Sequence, residues 1–146
     1  MSKPDLIAID HDDHHAEHIG HLPDGRQFFL TSPFVPAAGV PGREFIALFL
    51  FDEHGGFLEA RIDDLGTRAE LDQQQANRLY EQRLTELGAV EFGRIEVQPF
   101  EVERFGTNFG LVPRPPEDED DEWWVELQPG NYMAFHEPWD SGEYDT

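Results

Sequence analysis

The chain has no cysteine and a single lysine, Lys3, and its nine arginines face 31 aspartates and glutamates. Without cysteine there is no disulfide, no thiolate metal site and no cysteine nucleophile. Ten basic residues against a formal net charge of −21 exclude the basic footprint that nucleotides and nucleic acids require, and a field of this sign repels anionic membrane surfaces. No apolar run exceeds the seven residues Phe45 to Phe51, far below the length that spans a bilayer. Near the N-terminus only Leu6-Ile7-Ala8-Ile9 are consecutive apolar residues before acids and histidines begin, which falls short of a secretory signal; a cytoplasmic protein is expected. Catalytic signatures are also missing. There is no GxSxG elbow, the serines Ser2, Ser32 and Ser141 have no recognisable base beside them, and no glycine-rich loop carries the lysine of a phosphate cradle. Among 31 acids, any one carboxylate pair says little about glycoside chemistry.

What is present is acid, aromatics and turns. The 146 residues suit one domain, and twelve Phe, three Trp and three Tyr make the expected core aromatic. His18 to Leu22 and Gln27 to Thr31 flank Pro23-Asp24-Gly25-Arg26, a hairpin pattern. Phe45 to Phe51 is apolar on both parities and predicts a central strand covered on both faces. Phe57 to Ile62 follows after a glycine turn, with Leu58, Ala60 and Ile62 on one side and Phe57, Glu59 and Arg61 on the other. Ala76, Leu79, Tyr80, Leu84 and Leu87 recur at helical steps and predict one amphipathic helix over about 69–87. Thr67-Arg68-Ala69-Glu70 fits a capping box, and Gly88 fits the left-handed position past the C-terminus. Further strands are expected at Ile95 to Val97 and Phe100 to Val102, then at Gly110 to Val112 after a turn at Phe105-Gly106-Thr107-Asn108-Phe109. A last hairpin joins Trp124 to Leu127 with Tyr132 to Phe135 through Gln128-Pro129-Gly130-Asn131. The expected fold is α+β, a single β-rich domain over 1–146. Its antiparallel hairpins would supply about seven to nine strands, with the one helix packed on the sheet.

Acid is concentrated. Eleven acids against Arg114 alone lie in residues 113–146, six of them consecutive from Glu117 to Glu122 and running into Trp123-Trp124. Residues 113–122, Pro-rich and then acidic, predict a mobile loop. Its plain role is a solvated loop. Its functional reading is a docking surface for a basic protein, made of Glu117, Asp118, Glu119, Asp120, Asp121, Glu122 and Trp123 together with Trp139, Asp140 and Tyr144. Trp139 and Tyr144 belong to a second acidic-aromatic cluster, His136 to Thr146, which either packs back on the domain or joins that face.

Five histidines lie within eleven residues, His11, His14, His15, His18 and His21, among Asp10, Asp12, Asp13 and Glu17. Residues 1–17 are expected to form a flexible His/Asp-rich arm without a cofactor. The alternative is a divalent transition-metal site using His11, His14, His15 and His18, of which His14 and His18 share a face at either helical or strand spacing. Asp13-His14-His15 matches by letter the triplet of the DHH phosphoesterases, and His11-Asp12 that of the HD phosphohydrolases. Only twelve residues precede the first, and one helix cannot supply the all-helical fold of the second, so no role is transferred. The stretch Val125 to Phe135, with Pro138-Trp139-Asp140 and Tyr144-Asp145-Thr146, resembles the ends of small bacterial proteins of no established activity; the resemblance implies a bacterial origin and an intact C-terminus. Three functions fit: a non-enzymatic acidic protein docking on a basic partner, in the manner of an immunity protein or a nucleic-acid-mimicking inhibitor; a metal-dependent enzyme; and a small regulatory or scaffold domain binding peptides by β-augmentation.

Overall fold

A computed structural model of the chain describes residues 3–37, 40–129 and 133–145, with backbone alone at 36, 37, 40 and 41. Among the described residues there are twelve strands: β1 (Ile7–Ile9), β2 (His18–His21), β3 (Gln27–Thr31), β4 (Phe34–Ala37), β5 (Val40–Phe51), β6 (Phe57–Thr67), β7 (Glu91–Phe92), β8 (Ile95–Val97), β9 (Phe100–Arg104), β10 (Thr107–Arg114), β11 (Trp124–Gln128) and β12 (Ala134–Phe135). One helix, α1 (Gln73–Glu86), stands between β6 and β7. With 46% strand and 13% helix, the fold is the expected β-rich α+β domain. The strands beyond nine are pieces of two to four residues, too short to show a period in sequence. All pairings are antiparallel. A six-stranded sheet holds β2 to β7, a four-stranded sheet runs β12-β11-β10-β9, and β1 pairs with β8.

The apolar run occupies β5, and its two parities feed two cores. Phe45, Ala47, Phe49 and Phe51 join Phe29 and Ile19 against Ile7, Ile9, Ile95, Val97, Phe109, Leu111, Val125, Leu127 and Phe135. Ile46, Leu48 and Leu50 join Phe28 and Leu30 beneath Leu79, Tyr80, Leu84 and Leu87 of the helical segment. The domain is thus layered as helix, six-stranded sheet, then the smaller sheets. Each fully buried Phe contributes about 1.5–3 kcal/mol, and Phe28, Phe29, Phe45, Phe49, Phe51, Phe109 and Phe135 are all shut off from solvent. Phe100 links the layers: its ring lies edge-on to Phe49 at 4.8 Å and stacks on Phe57 at 4.4 Å.

The local signals resolve as follows. The β2–β3 hairpin turns at Pro23 to Arg26, with Leu22 N–H bonded to Arg26 O at 2.8 Å. In β6 the expected parity changes. A register shift between Leu50 and Phe51 sets Phe51 opposite Phe57 while Leu50 faces Glu59. Phe57 therefore joins Ala60 and Ile62 on the core, and Leu58, expected on that side, is 50% exposed. The β9–β10 turn is tighter than expected: only Phe105 and Gly106 form it, both at positive φ (56° and 72°), as a two-residue hairpin of this twist requires. The helix also starts later than 69. Residues 68–70 make one 3₁₀ turn, Leu71 is extended, and Thr67 makes no side-chain cap bond. Asp72 is the N-cap, its carboxylate accepting from the amides of Gln74 and Gln75. At the other end Gly88 takes φ 84°, as expected. The last hairpin, β11 with β12, pairs Val125 with Phe135; Gly130, Asn131 and Tyr132 of its expected turn and strand lie outside the described residues.

The segments expected as arm and loop both include strand residues. The arm expected over 1–17 contains β1, whose Ile7, Ala8 and Ile9 are buried because they complete the core against β8. The loop expected over 113–122 begins two residues later, since Pro113 and Arg114 belong to β10 and pair with Val125 and Trp124.

Candidate functional site

The His/Asp-rich segment and the acidic-aromatic tail, more than a hundred residues apart, form the two walls of one cleft. Residues 10–16 leave β1 in a turn held by Asp12, whose carboxylate accepts from the amides of His14 at 2.7 Å and His15 at 3.1 Å. The tail leaves β12 and returns beside it: Ala134 and Asp145 exchange backbone hydrogen bonds of 2.9 and 2.8 Å. Between the walls run Ala8 N–H to Trp139 O (2.9 Å) and Asp10 N–H to Gly142 O (3.0 Å). Arg94 adds a clamp from below, donating Nη1 to Asp10 Oδ1 at 3.0 Å and Nη2 to Asp140 O. Gly142 suits this approach for two reasons. Its φ is 81°, and a Cβ there would stand 2.4 Å from the Asp10 carboxyl carbon.

The cleft is open and measures about 940 Å³. Its lining includes the carboxylates of Asp10, Asp12, Asp13, Glu137, Glu143 and Asp145 and the imidazoles of His14, His15 and His136. Tyr144 crosses it, donating its hydroxyl to Asp12 Oδ2, with its ring against His15 and Phe135. Burial raises the Asp12 pKa, but the Tyr144 hydroxyl and the amides of His14, His15 and Ala16 outweigh it and hold the carboxyl below its ordinary value. Burial, then the bond to Asp12 and its charge, push the Tyr144 phenol up to about 12. His136 Nε2 lies 3.1 Å from Asp145 Oδ2. Asp13, Glu137 and Glu143 take part in none of the ion pairs among the described residues.

The acidic loop, residues 115–123, leaves the sheet at the same end. Arg114 pairs with Trp124 and Val125 with Phe135, so the connection from β10 to β11 and the tail after β12 both emerge there. Residues 117–122 are exposed. Asp118 accepts from the amide of Asp120 at 3.0 Å, and none of the ion pairs among the described residues reaches these six acids. At the loop's base Glu126 gathers three donors: the Trp124 indole (2.9 Å), Arg114 Nε (3.0 Å) and Gln128 Nε2 (2.9 Å). Burial raises the Glu126 carboxyl, and these three donors more than reverse it, leaving it below its usual value.

The sequence-predicted residues therefore fall into two groups. Glu117 to Glu122 and Asp140 are exposed; Trp123 is half-buried, and Trp139 and Tyr144 pack against the core. The four candidate metal ligands diverge. His11 and His18 flank the Phe92 ring, where His11 Nε2 bonds to Glu17 O at 2.8 Å and His18 Nδ1 to the Tyr80 hydroxyl at 2.6 Å. His14 and His15 line the cleft. The shared face of His14 and His18 is lost because the first sits in the turn and the second in β2. No group of three or more His, Asp or Glu placed to hold a metal occurs among the described residues. Arg94, His136, Glu137, Gly142, Glu143 and Asp145 were not legible as partners of Asp10 to His15; only a long-range pairing signal would have joined them.

No family model, curated protein or solved structure matches this chain. Function must therefore be argued from the cleft and the loop. No helix among the described residues is long and apolar enough to cross a membrane.

Proposed function

We propose that this protein is a non-enzymatic acidic binding protein that docks on a basic protein partner through one end of its fold. The observation that supports this reading is convergence. Two acid-rich segments distant in sequence open at the same end of the four-stranded sheet, while five of the nine arginines are engaged elsewhere: Arg26 with Asp24, Arg43 with Asp64, Arg61 with Glu59, Arg68 with Glu44 and Arg83 with Asp63; Arg114 and Arg94 are taken at the site itself by Glu126 and Asp10. Unneutralised carboxylates raise the electrostatic cost of folding; a cationic partner removes that cost and supplies the counter-charge. The two parts do different work. The exposed run Glu117 to Glu122 steers encounter, and the cleft wall of Asp13, Glu137 and Glu143 receives a guanidinium or ammonium group. Trp139 and Tyr144 then act as supports of the wall rather than as free anchors.

An octa-arginine peptide is the simplest probe of this division. Its association rate should fall steeply between low and high salt. Neutralising the loop (Glu117→Gln, Asp118→Asn, Glu119→Gln, Asp120→Asn, Asp121→Asn, Glu122→Gln) should slow association, whereas Asp13→Asn with Glu143→Gln should speed dissociation. Salt-independent binding, or both variants binding as the parent does, would refute the reading.

A further inference from the structure

We propose that the outer edge of β6 is a self-recognition strand, through which two copies of this chain pair as an antiparallel, two-fold symmetric dimer centred on Ala60. This eleven-residue strand pairs with β5 along one side and with no described strand along the other, and β9, which ends the four-stranded sheet, lies next to it. The Phe45 side of the core reaches the surface here. Of the half-buried apolar residues packed against it, Phe57, Ala60 and Ile62 of β6 and Phe100 and Val102 of β9 line this one side, and Leu58 beside them is 50% exposed. An open edge of this length is a template for another strand.

The hydrogen-bond phase of the ladder tells which backbone groups the edge offers. Phe45 N–H donates to Pro33 O at 3.0 Å, on the side of β5 away from β6. In an antiparallel strand the N–H and C=O of one residue point the same way, and the direction alternates along the chain. Ile46, Leu48 and Leu50 therefore bond toward β6, and their partners Asp63, Arg61 and Glu59 turn their backbone groups to β5. Ala60 and Ile62 turn theirs outward.

The side chains around Ala60 select the occupant. Glu59 and Arg61 are exposed, and Arg61 Nη2 donates to Glu59 Oε1 at 3.1 Å. Turned end for end about Ala60, the stretch Glu59-Ala60-Arg61 is its own complement. Ala60 of each copy exchanges both backbone bonds with the other, and Glu59 of each stands opposite Arg61 of the other in the two flanking, closely spaced pairs. Neighbouring registers lose this match. Centred on Arg61, the pairing would set Glu59 against Asp63; centred on Ile62, it would set Arg61 against an Asp63 already forked by Arg83 at 2.8 and 2.9 Å. The surroundings suit a second acidic copy as well. Arg43, Arg61, Arg68 and Arg83 gather around this strand and are paired with Asp64, Glu59, Glu44 and Asp63, so the edge holds little of the net charge of −21 and the repulsion between two chains is low there.

One strand pair is small beside the roughly 1,200–2,000 Å² of a stable interface, so the dimer forms at high concentration, over about 0.1–1 mM. Sedimentation of the full chain across that range should show monomer passing into dimer. Arg61→Glu and Glu59→Arg should each weaken the association about tenfold, because both unlike pairs become like pairs. An equimolar mixture of the two variants carries the same total charge as parent chains and should bring the dimer back. Both side chains are exposed, so each variant should keep the parent's far-ultraviolet circular dichroism. A parent that stays monomeric at about 1 mM, a dimer indifferent to both swaps, or variants that do not pair on mixing overturns the proposal. So does a monomeric parent whose β6 amides gain exchange protection from an added Thr-Val repeat peptide, which would give the edge to a foreign strand.

Discussion

Replacing Tyr144 by Phe removes one oxygen and isolates the bond that joins the two walls of the cleft. The phenol donates to an ionised Asp12, and hydrogen bonds to charged groups contribute about 1.5–3 kcal/mol. Both residues are half-exposed, and Asp12 keeps the amides of His14 and His15. Screening and these remaining donors place the expected loss at about 1–1.5 kcal/mol at neutral pH, or about 3–5 °C in Tm for a chain of this size. The pH dependence is more diagnostic. The folded phenol titrates near about 12, above its ordinary 10.0, so its contribution is complete below pH 10 and is lost as pH rises toward 12. Asp12 is shifted the other way. Its contribution is present above its ordinary 3.8 and disappears as pH falls below that value. Urea unfolding at a series of pH values should therefore show parent and variant differing by a constant amount through neutrality and converging at both extremes. Tyrosinate absorbance provides an independent check, since one of three tyrosines should ionise well after the ordinary range. A difference that persists unchanged to pH 12, or a variant as stable as the parent at pH 7, would refute the assignment of this bond.

Two further outcomes test the fold. Asp72→Ala should cost about 1 kcal/mol and reduce far-ultraviolet helical signal, whereas Thr67→Ala should leave both within error, because Asp72 alone caps α1. Leu58→Thr should change stability by less than about 0.5 kcal/mol, while Ile62→Ala, on the core side of the same strand, should cost more than about 1 kcal/mol in denaturant titrations.

Local chemistry was readable from the residues in order. The β2–β3 turn followed from Pro23-Asp24-Gly25, the buried centre of β5 from an apolar run on both parities, and the body of α1 from Leu79, Tyr80, Leu84 and Leu87. Each depends on contacts within a few residues or on simple burial. The errors came where two segments had to meet. Thr67 and Glu70 have the letters of a capping box, yet the chain stays extended at Leu71 and the helix waits for Asp72. Leu58 has the parity of Ile62, yet the register against β5 slips by one residue.

The site shows the same division more sharply. Composition alone established that the chain carries a large negative net charge, that no thiol takes part in its chemistry, and that Glu117 to Glu122 would face water, because charges without partners cannot be buried. Only the tertiary structure decided that β1 fills the core, that Arg94 and Gly142 draw the tail against Asp10, and that Asp12 and Tyr144 bond across 132 positions of sequence. Those contacts arise from the pairing of β1 with β8 and of β11 with β12. Strand pairing between distant segments is set by the fit of whole faces, and no single stretch of sequence contains that information.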